Sequence, residues 1–324
     1  MKTDINDIIN NARSIVITGH IKPDGDCVGS ALGLYNYIEK NYPDIHTEVF
    51  LESPAKKLCF LKNFDKIDCE YGDREPFDLM ICTDCASKER LGKAQKYFDE
   101  AKRTVCIDHH ISNTLYAEEN YIFGQASSAS EVLCSFLDMT KLDKDIAICL
   151  YTGIIYDTGV FKYPLTSPET MRTAAALMEY GVPTDYIIDE SFYAKTYDEN
   201  RILGYAVMKS ELRCGGKVIF STLTKEEMDR FNITGRDLDG IVPQLRLTRG
   251  VICAFFLYEL TPGEYKGSLR SEGEFNVNAI AQVFGGGGHV RASGFTIKGE
   301  LSDCVDRILV EVEKTLSTYE TGNN

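Results

Sequence analysis

Ser14-Ile15-Val16-Ile17-Thr18 runs directly into Gly19-His20-Ile21-Lys22-Pro23-Asp24-Gly25-Asp26, and that order decides the fold. A short run rich in β-branched residues, stopped by Gly and Pro, reads as a buried strand. Residues able to do chemistry begin where it ends. The same order recurs twice: residues 78–83 (DLMICT) end at Asp84, and residues 103–107 (RTVCI) end at Asp108-His109-His110. Residues 47–51 form a further strand. Residues 27–40, 128–138, 146–156 and 169–180 carry helical patterns. Strands separated by helices indicate an α/β fold with a mostly parallel sheet flanked by helices.

The pattern changes further along. Residues 186–210 lack strand signals and read as a linker helix. Beyond them, 217–223, 251–260 and 264–271 read as strands, the last two joined by Thr261-Pro262-Gly263. A short helix over 277–284, a strand over 292–297 and a closing helix over 304–316 follow, with 317–324 a frayed tail. The expectation is a first domain over 1–185 and a smaller α/β C-terminal domain over 211–318.

The 324 residues, 44% hydrophobic and 26% charged, suffice for two cores. No run approaches the roughly 18 apolar residues of a membrane helix, and the polar N-terminus lacks a signal-peptide core. A cytoplasmic protein with no membrane partner is expected. The 11 Cys are odd in number and scattered, as suits reduced core thiols. A net charge of −14 repels long duplex nucleic acid, whose binding depends on neutralising many phosphates.

Three of the five His stand beside Asp at strand ends. Taken alone, Asp24-Gly25-Asp26 is a solvated turn and His20 a structural histidine. Together with Asp84, Asp108, His109 and His110, and with Asp157 after the apolar run ending at Tyr156, they form a pattern. Parallel strands bring their carboxyl ends to one edge, where open α/β sheets bind ligands. Carboxylates and neutral imidazoles gathered there are stabilised by a divalent cation. Mixed ligation suits Mn²⁺, Fe²⁺, Co²⁺ or Zn²⁺, whereas all-oxygen ligation suits Mg²⁺.

A second constellation is Gly285-Gly286-Gly287-Gly288-His289, followed by Arg291-Ala292-Ser293-Gly294. Consecutive glycines fit a loop whose backbone approaches a ligand closely and offers N–H groups to an anion. Following a helix rather than opening one, it is neither a dinucleotide fingerprint nor a P-loop. Arg270, on a predicted strand, is the candidate phosphate clamp.

These residues resemble the DHH phosphoesterase superfamily. Four motifs match over residues 1–185: His20-x-x-Pro-Asp24-x-Asp26, Asp84, Asp108-His109-His110 with Asn113, and Asp157 in Tyr151-Thr-Gly-Ile-Ile-Tyr-Asp157-Thr-Gly159. The Gly285–Gly294 segment resembles the GGGGHxxASG signature of the DHH-associated C-terminal domain, with Val290 where the family often has Pro. The resemblance implies a catalytic metal-binding domain and a substrate-binding domain. It implies two divalent ions, Mn²⁺ first, with Mg²⁺ or Co²⁺ as alternatives. His20 and Asp24 would hold one ion, Asp26, His109 and Asp157 the other, and Asp84 would bridge them. Asp108 would support its neighbours, and His110 would face the substrate phosphate. Asn113, Arg270, Gly287, Gly288, His289, Arg291 and Ser293 are the expected substrate contacts.

The C-terminal signature accompanies the RecJ-like and nano-RNase branches, not the superfamily's inorganic pyrophosphatases. Size and acidity favour the nano-RNase branch. Its substrates are very short oligoribonucleotides such as pApA, and adenosine 3′,5′-bisphosphate; a homodimer is compatible with it. The alternatives are a RecJ-like single-strand DNA exonuclease, a phosphatase for other small phosphates, and a non-catalytic nucleotide-binding protein. The exonuclease needs a basic track, for which Arg246, Arg249, Lys266 and Arg270 are a thin provision.

Overall fold

Unbroken burial along the central strands, on both faces of one sheet, builds the first half of the protein. The computed structural model describes residues 5–238 and 240–322, in two compact units, Met1–Ala194 and Lys195–Asn324. The first unit contains α1 (Ile5–Asn10), β1 (Ser14–Thr18), α2 (Gly25–Asn41), β2 (His46–Phe50), β3 (Ile67–Asp68) and β4 (Leu79–Thr83). It continues with α3 (Gln95–Glu100), β5 (Thr104–Asp108), β6 (Glu119–Ile122), α4 (Ala129–Cys134), α5 (Lys144–Thr158), α6 (Pro168–Met178) and α7 (Thr184–Ile188).

The strands make a six-stranded sheet ordered β3-β2-β1-β4-β5-β6. Every neighbouring pair is parallel. Ile15, Ile17, Leu79, Ile81, Val105 and Ile107 face a core shared with α2, α4 and α5. Val16, Met80, Cys82 and Cys106 face the opposite core, with Phe50, Tyr97 and Phe98. Both faces are covered, as a parallel sheet requires. The order reverses between β1 and β4, which makes their carboxyl ends the switch point where such sheets bind ligands. Helices α2 and α5 lie close together. A Cβ on Gly29 would come 2.5 Å from the Cys149 carbonyl oxygen, so glycine is what allows this approach.

The second unit contains α8 (Tyr197–Met208), β7 (Glu211–Arg213), β8 (Val218–Leu223), α9 (Lys225–Arg230), α10 (Ile241–Arg246), β9 (Cys253–Thr261) and β10 (Glu264–Ser271). It ends with α11 (Val277–Val283), β11 (Gly287–His289), β12 (Ala292–Lys298) and α12 (Leu301–Gly322). Its sheet, ordered β11-β12-β10-β9-β8-β7, is mixed, since only β8 and β9 run parallel. One face packs on α11 and α12. The other packs on α8, α9 and α10.

Three expectations are corrected. The linker helix over 186–210 is broken: α7 and a π-helical turn, Asp189–Tyr193, end at Ala194, and α8 starts anew. Thr196 caps α8 by accepting from Glu199 N, while the Glu199 carboxylate accepts from Thr196 N, a reciprocal box that marks a fresh helix start. The frayed tail is instead the end of α12, where Tyr319 packs edge-on to Phe275 at 5.7 Å and Glu320 pairs with Lys217. Residues 323–324 of that tail lie outside the described residues. The glycine loop is in part a strand. Gly287–His289 pairs antiparallel with β12 at the sheet edge. Gly288 sits at φ 151°, and a Cβ there would lie 2.5 Å from the Ala292 carbonyl oxygen. Only residues without a side chain pair this closely in that conformation.

Candidate metal centre

Asp84 is the hub of the site. It follows β4 with φ 52°, a left-handed conformation that Asp tolerates better than most residues. Its amide donates to the Ile107 carbonyl across the β4–β5 pair at 3.0 Å, which holds the side chain at the switch point. The carboxylate is 2% exposed. Its Oδ2 lies 3.4 Å from His20 Nε2, and its Oδ1 lies 3.5 Å from His109 Nε2. One carboxylate thus faces two imidazoles with different oxygens.

Each side is completed from a neighbouring element. Asp24 caps α2, accepting from the amides of Asp26 and Cys27 through Oδ1 at 3.1 Å each. The same oxygen stands 3.8 Å from His20 Nε2. His20 Nδ1 is 2.8 Å from the Ile21 carbonyl, so Nδ1 carries the proton and Nε2 is left to bind. On the other side His109 Nε2 is 2.9 Å from Asp157 Oδ2, at the end of α5. Asp26, Asp84, His109 and Asp157 each place one ligand atom within 4.8 Å of the others.

Asp26 is fully buried, and its partners are residues that sequence reasoning passed over. The amides of Ala129 and Ser130, in the first turn of α4, donate to its two oxygens at 2.6 and 3.0 Å. The signal was present: Ser128-Ala-Ser-Glu131 is a helix-capping pattern, and Ser128 caps α4 by accepting from Glu131 N. Gly153 on α5 makes room for this contact, since a Cβ there would lie 2.0 Å from Ser130 Oγ and 2.4 Å from Asp26 Oδ1.

The Asp-His-His triplet divides its work. Asp108 is fully buried. Its Oδ1 accepts from the His109 amide at 2.8 Å and from His110 Nδ1 at 2.7 Å, and its Oδ2 accepts from Asn113 Nδ2 at 2.7 Å. Asn113 also donates to the Cys85 carbonyl and accepts from the Leu115 amide. Its amide group hydrogen-bonds within the protein on both its oxygen and its nitrogen. Ser293 is buried and donates to the Val277 carbonyl at 2.7 Å. Arg291 is tied to the Gly273 carbonyl at 2.8 Å and to Glu274 at 3.3 Å. Gly287, Gly288 and His289 are exposed along the edge strand. Arg270 is half-buried on β10, where Nη1 donates to the Leu269 carbonyl.

Burial sets the electrostatics. It opposes protonation of His20, but Asp24 and Asp84 outweigh it and raise that pKa to about 10. Burial likewise opposes protonation of His109, where Asp157 and Asp84 prevail and raise it to about 11. Burial, then the charges of Asp84 and Asp157, push Asp26 well above the carboxylate range. Burial also raises Asp157 against the pull of His109. Asp108 is lowered: burial works against its charge, and the bonds from His110 and Asn113 overcome it.

Whether these residues fit divalent cations is answered by atoms lacking a hydrogen bond. Asp84 Oδ1 and His109 Nδ1 are buried with no hydrogen-bond partner, and His109 Nε2, although 2.9 Å from Asp157 Oδ2, is not aligned for a hydrogen bond with it. Buried polar atoms are rarely left so. Two imidazoles and four carboxylates converging on them form a donor set suited to borderline divalent ions. The residues fit.

Residues 14–154 match the N-terminal domain of the DHH family, and residues 215–318 match the DHHA1 domain. The chain belongs to the DHH family, in the branch that carries a DHHA1 domain. It is 28% identical to the bifunctional oligoribonuclease and PAP phosphatase NrnA of Thermus thermophilus, over 94% of this chain and 90% of that protein. It is 30% identical to a probable bifunctional oligoribonuclease and PAP phosphatase NrnA of Streptococcus mutans, over 87% of this chain and 88% of that protein. The structure of an exopolyphosphatase-related protein from Bacteroides fragilis superposes with a TM-score of 0.85 at 27% identity, covering 96% of this chain and 94% of that one.

Proposed function

We propose that the protein is a metal-dependent phosphoesterase that hydrolyses very short oligoribonucleotides to nucleoside monophosphates and adenosine 3′,5′-bisphosphate to AMP. One observation carries the chemistry: the two oxygens of Asp84 face two separate ligand groups. His20 and Asp24 would hold one cation, and Asp26, His109 and Asp157 a second, with Asp84 shared. Mn²⁺ is the first candidate, with Mg²⁺ or Co²⁺ as alternatives. Bound cations of this kind lower the pKa of water and offset charge on a phosphoryl group.

The protein's own groups do the rest. Asp108 fixes the ring of His110 through Nδ1, and this bond raises the His110 pKa above its ordinary value. His110 then keeps a proton to donate from Nε2 to a phosphoryl oxygen, where negative charge develops. The amides of Ala129 and Ser130 hold Asp26 in place, so that this carboxylate needs no rearrangement to bind. Arg270, Gly287, Gly288 and His289 would take the rest of the substrate. The substrate class is supported by the names of the Thermus and Streptococcus relatives, which match over most of both chains. The same likeness favours this substrate class over the single-strand DNA exonuclease.

The test is hydrolysis of a panel with Mn²⁺: pApA, a ribo-pentamer, a long single-stranded RNA, a long single-stranded DNA and adenosine 3′,5′-bisphosphate. Mononucleotides should appear fastest from the shortest RNAs, and EDTA or Asp84→Ala should abolish them. Preference for the long DNA would replace this reading with the exonuclease. Turnover of the bisphosphate alone would reduce it to a phosphatase.

A further inference from the structure

The first turn of α2 deals side chains to both halves of the metal centre. Asp24 caps the helix, and its Oδ1 accepts from the amides of Asp26 and Cys27 at 3.1 Å each. Successive residues of an α-helix point about 100° apart. Asp26 accordingly converges with Asp84, His109 and Asp157, whereas Cys27 converges with His20 and Asp84. In the second group one ligand atom from each residue lies within 4.8 Å of the other two, and all three residues are buried. Cys82, Cys106, Cys134 and Cys149 are buried as well. Among the described residues, Cys27 alone of the thiols joins such a group with His and Asp.

The sulfur also has a place made for it. A Cβ on Gly19, just past β1, would lie 2.2 Å from Cys27 Sγ, so glycine leaves the sulfur its room beside His20. Its contact with the backbone there is weak, a 4.0 Å approach to the His20 carbonyl. Imidazole and carboxylate accept a wide range of divalent ions, but a thiolate selects the softer ones. We propose that Cys27 is an additional ligand on the His20 side, which makes the two metal sites different in kind. His20, Asp24, Asp84 and Cys27 form a nitrogen, oxygen and sulfur site for an ion of the Zn²⁺ or Co²⁺ type. Asp26, Asp84, His109 and Asp157 form a nitrogen and oxygen site that takes Mn²⁺ or Mg²⁺ as well. A coordinated thiol is deprotonated outright, so the S–H proton passes to solvent as the sulfur–metal bond forms. The inference rests on the two-metal reading and deepens it.

The experiment titrates Co²⁺ into the full chain, stripped of metal with EDTA and kept reduced, and follows the absorption spectrum. Wild type should develop a near-ultraviolet thiolate-to-Co²⁺ charge-transfer band together with the visible Co²⁺ bands. Cys27→Ser and Cys27→Ala should lose the charge-transfer band, and Cys134→Ser, which changes a buried thiol outside the site, should keep it. Calorimetry should show the ratio of Co²⁺ to Mg²⁺ affinity falling at least about tenfold in Cys27→Ser, a loss that removing even an outer partner of a ligand can cause. Visible Co²⁺ bands without the charge-transfer band in wild type overturn the inference and leave the two-metal reading standing; so does a charge-transfer band that survives in Cys27→Ser. A wild type that binds no Co²⁺ and no Mn²⁺ overturns both.

Discussion

Asp84 concentrates the site's electrostatic tension in a single side chain. It is buried, its backbone is left-handed, and its two oxygens serve two histidines. The consequence appears in the histidines. With pKa values near 10 and 11, His20 and His109 carry protons at neutral pH in the metal-free protein. A cation binds neutral imidazole, so those protons must leave. Apparent metal affinity should therefore rise with pH through the neutral range and level off only as pH passes the His109 value of about 11. Titration calorimetry with Mn²⁺ at pH 7, in two buffers of different ionisation enthalpy, should give heats that differ by the protons released. Heats independent of buffer would contradict the assignment of His20 and His109 as ligands. At this scale the sequence was informative, because acids and histidines placed directly after strands must meet at one sheet edge. It could not show which polar groups turn inward. Asn113 and Ser293 sit inside motifs beside reactive neighbours, yet their hydrogen bonds run into the protein. That direction is set by side-chain geometry rather than by residue type.

The elements hold the site through close helix contact, and this too can be tested. α5 passes the first turn of α4 at Gly153, beside the bond from Ser130 N to Asp26. Alanine is normally the better helix former by about 1 kcal/mol. At Gly153 the added methyl would overlap Ser130 Oγ and Asp26 Oδ1, so Gly153→Ala should destabilise by roughly 1–3 kcal/mol through overpacking. It should also lower kcat by about a hundredfold through displacement of Asp26. Gly204 on α8 is the control, because a Cβ there meets nothing within 4 Å. Gly204→Ala should stabilise by roughly 0.5–1 kcal/mol. Chemical denaturation and steady-state kinetics of the two variants decide the matter; equal effects at both positions would refute the packing argument. The long elements were legible for a related reason: β1, β4, β5, α2 and α5 are apolar runs, bounded by caps and Gly, whose burial dominates their local choice. The short strands were not. β3 has two residues and β7 three, and pairing with a neighbour rather than their own pattern makes them strands. β11 was read as a loop because glycine carries no β signal, although it is the absence of Cβ that lets it pair with β12.

The whole molecule joins two units with separate cores: the first unit has a core on each face of its parallel sheet, and the second has a core on each face of its mixed one. All six candidate metal ligands, His20, Asp24, Asp26, Asp84, His109 and Asp157, belong to the first unit. An ion that binds only the folded site stabilises that unit by mass action, by about 2.7 kcal/mol when present at a hundred times its Kd. For a unit of this size that corresponds to a rise of roughly 5–10 °C in Tm. The second unit has no share in those ligands, so its own cooperative transition should not move. Scanning calorimetry of the full chain with Mn²⁺ and then with EDTA should show two transitions, only one of which shifts. Asp84→Asn, which keeps the side-chain volume and removes the shared charge, should abolish the shift while leaving the second transition where it was. A single transition that moves as a whole with Mn²⁺ would mean that the units unfold as one cooperative block. An Asp84→Asn protein that still shifts would mean that the stabilising ion binds elsewhere than at the switch point.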